Sequence, residues 1–224
     1  MKAVVFGATG LVGSELLNAC IAHDRITKVY VVARRALSDG REKNSKVEVI
    51  LHSDFGQYPP ELLAKLRGIE LCLWAIGGLL SKFNNDKKLA YDANVAFPCA
   101  AATALAQHLS SDSPSGKIRF VFCSGRFAEP DPIKSLWFLS DSRRWKGETE
   151  TFLQKLAREH LGKFEALAVR PGLVIPKNPP LSIRLTAVVS PGITAQRTGI
   201  VMVKIGVDGW KGAVLEQDDM LAVQ

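Results

Sequence analysis

Tyrosine is scarce in this chain: of 224 residues only Tyr30, Tyr58 and Tyr91 are tyrosine, and none has a lysine four residues later. A mechanism needing a tyrosine one helical turn before a lysine therefore finds no such pair. The four cysteines, Cys20, Cys72, Cys99 and Cys123, lie far apart in apolar surroundings without a C-x-x-C pair. That excludes a disulfide framework and a zinc knot, and fits reduced core thiols. The four histidines, His23, His52, His108 and His160, have no metal-ligand spacing, so no metal is assigned. No G-x-S-x-G elbow occurs, and no apolar run reaches the roughly 18 residues of a membrane span. The longest basic cluster, Arg143-Arg144-Trp145-Lys146, is broken by a tryptophan, unlike a nucleic-acid arm. Neither nucleic acid nor membrane is an expected partner. The run Met1–Phe6 is too short for a signal sequence, and the expected location is cytoplasmic.

What is present is the balance of a globular protein, 47% apolar and 23% charged. The length suits one α/β domain. Lysine plus arginine number 29 against 22 acidic residues, a net charge of +7 that suits a phosphorylated ligand.

Short apolar runs alternate with helical patterns along the chain. Strands are predicted at 2–6, 28–33, 47–51, 69–76, 117–123 and 164–169, and helices at 11–23, 61–66, 89–109 and 145–160, with a polar loop at 37–46. This alternation predicts a doubly wound parallel sheet of Rossmann type with helices on both faces. Residues 1–171 are expected to form the core. Residues 172–224, rich in proline to begin with, are expected to supply a small substrate cap and the last elements of the same domain. The helix at 89–109 is either an ordinary cover helix or half of a homodimer contact.

Gly7-Ala8-Thr9-Gly10-Leu11-Val12-Gly13 lies where the first strand turns into the first helix. Glycines there permit a tight turn and close approach of a diphosphate to the helix N-terminus, whose N–H groups and dipole favour an anion. After the second strand, where an NAD-binding domain carries an acidic residue, this chain has Ala33-Arg34-Arg35. A guanidinium forks onto a 2′-phosphate that a carboxylate would repel, so the expected cofactor is NADP(H).

The G-x-x-G-x-x-G spacing resembles that of the short-chain dehydrogenase/reductases, in particular the atypical branch close to NmrA-like, NAD(P)-binding oxidoreductases. The resemblance covers roughly residues 1–176 and implies further roles. Asp54-Phe55 matches the place where the family contacts adenine, although Asp54 is equally explained as a helix cap. Leu73-Trp74-Ala75-Ile76-Gly77 resembles the strand beside the nicotinamide-side ribose, and Tyr91-Asp92-Ala93-Asn94-Val95 the segment whose asparagine braces the site. Phe122-Cys123-Ser124 resembles the strand ending in the family's serine. Arg170-Pro171-Gly172-Leu173-Val174 is similar to the turn over the nicotinamide, and Lys146-Gly147-Glu148-Thr149-Glu150 to the segment beginning with the catalytic lysine.

The chain departs from the family at the tyrosine, whose place four residues before Lys146 is taken by Ser142. Loss of a general acid costs of order 10²–10⁴ in rate. Ser124, Ser142 or Asp141 with a water could relay the proton instead. Lys146 either binds the ribose or takes part in catalysis, and Ser124 either holds substrate or only ends its strand. Leu136-Trp137-Phe138 and Trp145 are either core or the wall of an apolar pocket. The leading functional expectation is NADP(H)-dependent oxidation or reduction of a small apolar or carbonyl-type molecule. The alternatives are a nucleotide-bound sensor or scaffold, and a non-redox isomerase or cyclase.

Overall fold

A computed structural model describes residues 1–180 and 192–223. Its strands are β1 (Lys2–Phe6), β2 (Lys28–Ala33), β3 (Val47–Leu51), β4 (Leu71–Trp74), β5 (Ile118–Cys123), β6 (Phe164–Arg170), β7 (Leu173–Ile175), β8 (Gly192–Thr194) and β9 (Val214–Glu216). The helices are α1 (Leu11–Ala22), α2 (Pro60–Lys65), α3 (Lys87–Tyr91), α4 (Phe97–His108), α5 (Ser140–Glu159), α6 (Ala195–Asp208) and α7 (Gln217–Ala222).

Seven strands pair in the order β3-β2-β1-β4-β5-β6-β9, every pairing parallel. The chain leaves β1 for β2 on one side and returns for β4 on the other. That reversal opens a crevice at the carboxyl ends of β1 and β4, where such sheets bind ligands. The doubly wound α/β architecture expected from the alternation is the one observed.

β1 shows why the strands form. Successive side chains face opposite sides, and both sides are covered. Ala3 and Val5 enter a cluster with Leu16, Leu17 and Cys20 of α1 and Val201, Met202 and Ile205 of α6. Val4 and Phe6 enter another with Trp74, Ala101, Leu105, Leu153 and Leu156. A strand buried on both faces reads as a continuous apolar run.

Four boundaries differ from those expected. α5 begins at Ser140, not near Trp145, because its first turn, Ser140-Asp141-Ser142-Arg143, has no apolar residue to signal it. The helix expected over 89–109 starts at Lys87 and is interrupted by a π turn over Asp92–Ala96. The fourth strand is shorter than 69–76, since Ala75 and Ile76 already belong to the turn. The polar loop at 37–46 holds a single 3₁₀ turn over Arg41–Lys43.

The division expected at residue 171 is not the edge of the core. α6 covers the sheet beside α1, and β9 is the sheet's last strand. β7 and β8 form a separate small parallel pair; the expected cap falls in part on residues 181–191, which lie outside the described residues.

The α1–β1 junction has almost no clearance. A Cβ on Gly13 would stand 1.9 Å from the Gly7 carbonyl oxygen, inside any van der Waals limit. Gly13→Ala should therefore cost at least the ~1–3 kcal/mol of an overpacked core position. The check is the urea midpoint at unchanged slope; a midpoint equal to that of the unaltered protein would contradict this packing.

Candidate functional site at the carboxyl edge of the sheet

Gly7 leaves β1 at φ +87°, and Gly10 N–H donates back to the Gly7 carbonyl at 2.8 Å. A Cβ on Gly7 would lie 2.8 Å from the Ala75 carbonyl carbon, so the turn also fits tightly against the end of β4. Gly10 caps α1 without a side chain, and the first turn holds no acidic residue. The N-terminus of this 12-residue helix is thus open to an anion. Thr9, Gly10 and Leu11 are exposed along the loop, and Val12 packs on the core beneath. The glycine cradle and the uncapped helix suit a diphosphate.

Arg34 and Arg35 follow β2 at the surface and form no ion pair or hydrogen bond with another described residue. Arg41 instead is held by Asp39 and by the Ser14 carbonyl at 2.8 Å. Asp54 accepts from Gly56 N–H at 2.9 Å through Oδ1, which supports its turn-capping role. The Phe55 ring is buried edge-on against Phe6 and Trp74, so only its backbone remains for an adenine contact.

Beyond β4, Gly77 and Gly78 run at φ +130° and +151°. Asn94, fully buried, grips this turn by accepting from Gly78 N–H at 3.0 Å and donating to the Gly78 carbonyl at 3.0 Å. Its amide also donates to the Ala90 carbonyl of α3 at 2.8 Å, from within the π turn that carries Asn94. Thr149 of α5 donates to the Asn94 carbonyl at 2.7 Å. Departures from α-helical bonding of this kind often mark functional positions.

α5 carries Lys146 and Glu150 one turn apart. Lys146 Nζ donates to the Cys123 carbonyl at 2.9 Å, sits 4.6 Å from the Phe122 ring centroid, and lies 3.1 Å from where a Gly77 Cβ would be. Burial pushes its pKa below the ordinary lysine value; Cys123 and Glu150 pull it back up, and Lys82 pushes it down. Ser142 lies one turn earlier, partly buried.

Ser124 does not stand ready to donate to a substrate. Its hydroxyl donates to Glu150 Oε1, and Glu150 in turn accepts from Arg170 at 3.0 and 2.5 Å. Arg170 also donates to Glu216 of β9 at 2.8 Å. Glu150 therefore accepts from both the guanidinium and the serine, and the serine's one hydrogen goes to the carboxyl group. At the next position, Gly125, an added Cβ would meet nothing within 4 Å.

The three tyrosines are placed as follows. Tyr30 is in the core. Burial pushes Tyr58 well up. Tyr91 packs on Trp145 and donates to Glu148 Oε1 at 2.7 Å, and that bond above all raises its pKa to about 12.

Pro171 is buried, and its carbonyl accepts from Arg126 N–H at 2.9 Å. Gly172 N–H donates to Gln217 at 2.8 Å, and Leu173 and Val174 begin β7, both partly buried. Trp137 is 91% exposed, which removes it from the core; Phe138 stacks under Arg143 at 4.5 Å. Among the described residues no cluster of metal-ligating side chains occurs, and no helix is long and apolar enough to cross a membrane. Glu150 and Thr149 were not singled out individually in the sequence. Their spacing from Lys146 was the available signal, since residues three and four apart share a helix face.

Solved short-chain dehydrogenase/reductases share this fold. A 3-oxoacyl-[acyl-carrier protein] reductase from Brucella melitensis matches with TM-score 0.74 over 100% of this chain and 97% of its own, at 16% identity. The carbonyl reductase Sniffer of D. melanogaster matches with TM-score 0.72 over 97% and 96%, at 13% identity. A short chain dehydrogenase from Burkholderia cenocepacia, solved in complex with NADP, matches with TM-score 0.67 over 96% and 86%, at 16% identity. In sequence, the leucinostatins biosynthesis cluster protein T of Purpureocillium lilacinum is 32% identical over 122 residues, 54% of this chain and 42% of that protein. Protein FMP52, mitochondrial, of Debaryomyces hansenii is 30% identical over 105 residues, 46% and 44%. The chain thus spans less than half the length of these curated relatives. No family model matches it.

Because folding lowers the pKa of Lys146, the native state binds fewer protons than the unfolded chain between the lowered value and the ordinary one. Stability should rise with pH across that interval. Lys146→Met removes this contribution, and at neutral pH its thermal midpoint should be higher than that of the unaltered protein. A lower midpoint in calorimetric scans at neutral pH would show that the bonds to Cys123 and Phe122 outweigh the burial.

Proposed function

We propose that this chain is an NADP(H)-dependent oxidoreductase of the atypical, NmrA-like branch of the short-chain dehydrogenase/reductases, acting on a small apolar or carbonyl-type molecule. The observation that carries the reading is the uncapped α1 N-terminus behind a glycine turn too tight for side chains, with two arginines beyond β2 that have no partner among the described residues. Gly7, Thr9, Gly10, Leu11 and Val12 would hold the diphosphate, and Arg34 and Arg35 the 2′-phosphate. Asp54 and the Phe55 backbone would face the adenine, and Ala75, Ile76, Gly77, Asn94 and Lys146 the second ribose. Pro171, Gly172, Leu173 and Val174 would close over the ring. When bound, the coenzyme supplies or accepts a hydride. The four free cysteines fit a reducing compartment, for which we propose the cytoplasm.

A carbonyl carbon that takes hydride leaves its oxygen in need of a proton. Lys146 is the group best suited to give it, directly or through Ser142 and a water. Its lowered pKa makes it a stronger acid than an ordinary lysine, and one N–H is already anchored on Cys123. The resulting amine regains its proton from solvent.

A second reading, a nucleotide-bound sensor or scaffold, is favoured by one feature: Ser142 stands in the acid's place while the Ser124 hydroxyl is held by Glu150. NADPH consumption with a panel of carbonyl compounds distinguishes the two. Lys146→Ala should abolish that consumption, and turnover equal to that of the unaltered protein would remove Lys146 from the chemistry. Tight NADPH binding without oxidation would favour the sensor.

Arg34→Ala with Arg35→Ala should weaken NADPH by ~1.5–3 kcal/mol per lost charged hydrogen bond and leave NADH nearly unchanged, as read by titration calorimetry. Equal losses for both nucleotides would refute the 2′-phosphate assignment.

A further inference from the structure

Each of the two glycines after β4 lies against a different lysine. Lys146 Nζ is 3.1 Å from the Cβ position of Gly77, and Lys82 Cδ is 2.9 Å from that of Gly78. The Lys82 stem, from the short 3₁₀ turn Leu80–Phe83, therefore lies over the turn that Asn94 grips. Its ammonium forms no hydrogen bond or ion pair with any described residue.

Carboxylates on the neighbouring elements have other partners. Asp86 accepts from Leu89 N–H at 3.0 Å, Asp92 pairs with Lys88 at 2.7 Å, and Asp141 pairs with Lys87 at 3.0 Å. Glu148 accepts from Tyr91 and Glu150 from Arg170 and Ser124. Arg126, whose Cδ is 3.5 Å from the Cβ position of Gly172, also has no acidic partner among the described residues. Lys82 itself is exposed, and its charge acts on both Lys146 and Cys123. Two like charges beside one turn, that of Lys82 without a partner among the described residues, favour an anion there.

We infer that Lys82, beside Lys146, receives a carboxylate on the substrate, so that the chain prefers small oxo acids to neutral ketones. This rests on the coenzyme reading above, since it places the carboxylate beside the nicotinamide end of that site. Lys82 acts here in binding and specificity, and no proton transfer is assigned to it.

The test is titration calorimetry of the NADP⁺-saturated protein with 2-oxobutyrate and with its methyl ester, with NADPH affinity measured alongside. The acid should bind at least about tenfold tighter than the ester, as one charge-assisted contact implies. Lys82→Gln should bring the two together, and Lys82→Arg should keep the preference. Equal affinities, no binding of the acid, or a preference that survives Lys82→Gln would overturn the assignment while leaving the coenzyme site standing. Failure of the unaltered protein to bind NADPH would overturn both.

Discussion

The approach of α1 to the carbonyl of Gly7 is the constraint on which the rest of the site depends. At 1.9 Å from a would-be Cβ, it is a contact only between bare backbones. It forces the helix to start directly beyond the end of β1, with its N-terminus aimed into the crevice between β1 and β4. The same turn abuts the Ala75 carbonyl, so the ends of two strands and one helix are fixed together. The electrostatic consequence follows from the geometry. A helix end with neither cap nor acidic side chain is a partial positive charge in search of an anion.

A second, independent requirement comes from α5. Burying Glu150 would be costly without compensation, because a carboxylate taken from water loses several kcal/mol of hydration. Two bonds from Arg170 and one from Ser124 offset that loss, and Glu216 extends the chain of charges to the last strand. The network ties β5, α5, β6 and β9 into one unit. It also changes what Ser124 can offer, since a hydroxyl has a single hydrogen and here the carboxylate takes it.

The parallel strands were legible because burial on both faces leaves almost no polar residue within them, as in Val4–Phe6 or Val29–Val32. The first helix was legible from its glycine turn and apolar repeat. The start of α5 was not, because Ser140–Arg143 are polar and Leu139 enters the helix from a left-handed conformation, φ +46°. The π turn at Asn94 leaves no compositional trace. β9 has three residues and pairs only with β6, too short a run to read as a sheet strand. Within the site, the glycine loop, Asn94 and Lys146 could be placed by motif. The position of Lys82 could not, since its proximity to Lys146 arises from the fold of the β4–α3 connection and from no spacing along the chain. The orientation of Ser124 likewise depended on knowing that Glu150 lies beneath it.

Lys146 and Glu150 occupy successive turns of one rigid rod, and each residue of an α-helix advances the chain by about 100° around the axis. Adding or deleting a single residue between Lys146 and Glu150 would turn the ammonium and the carboxylate about 100° relative to one another, so that Phe122 and Ser124 could not both keep their partners. The segment between them can thus vary in composition far more readily than in length.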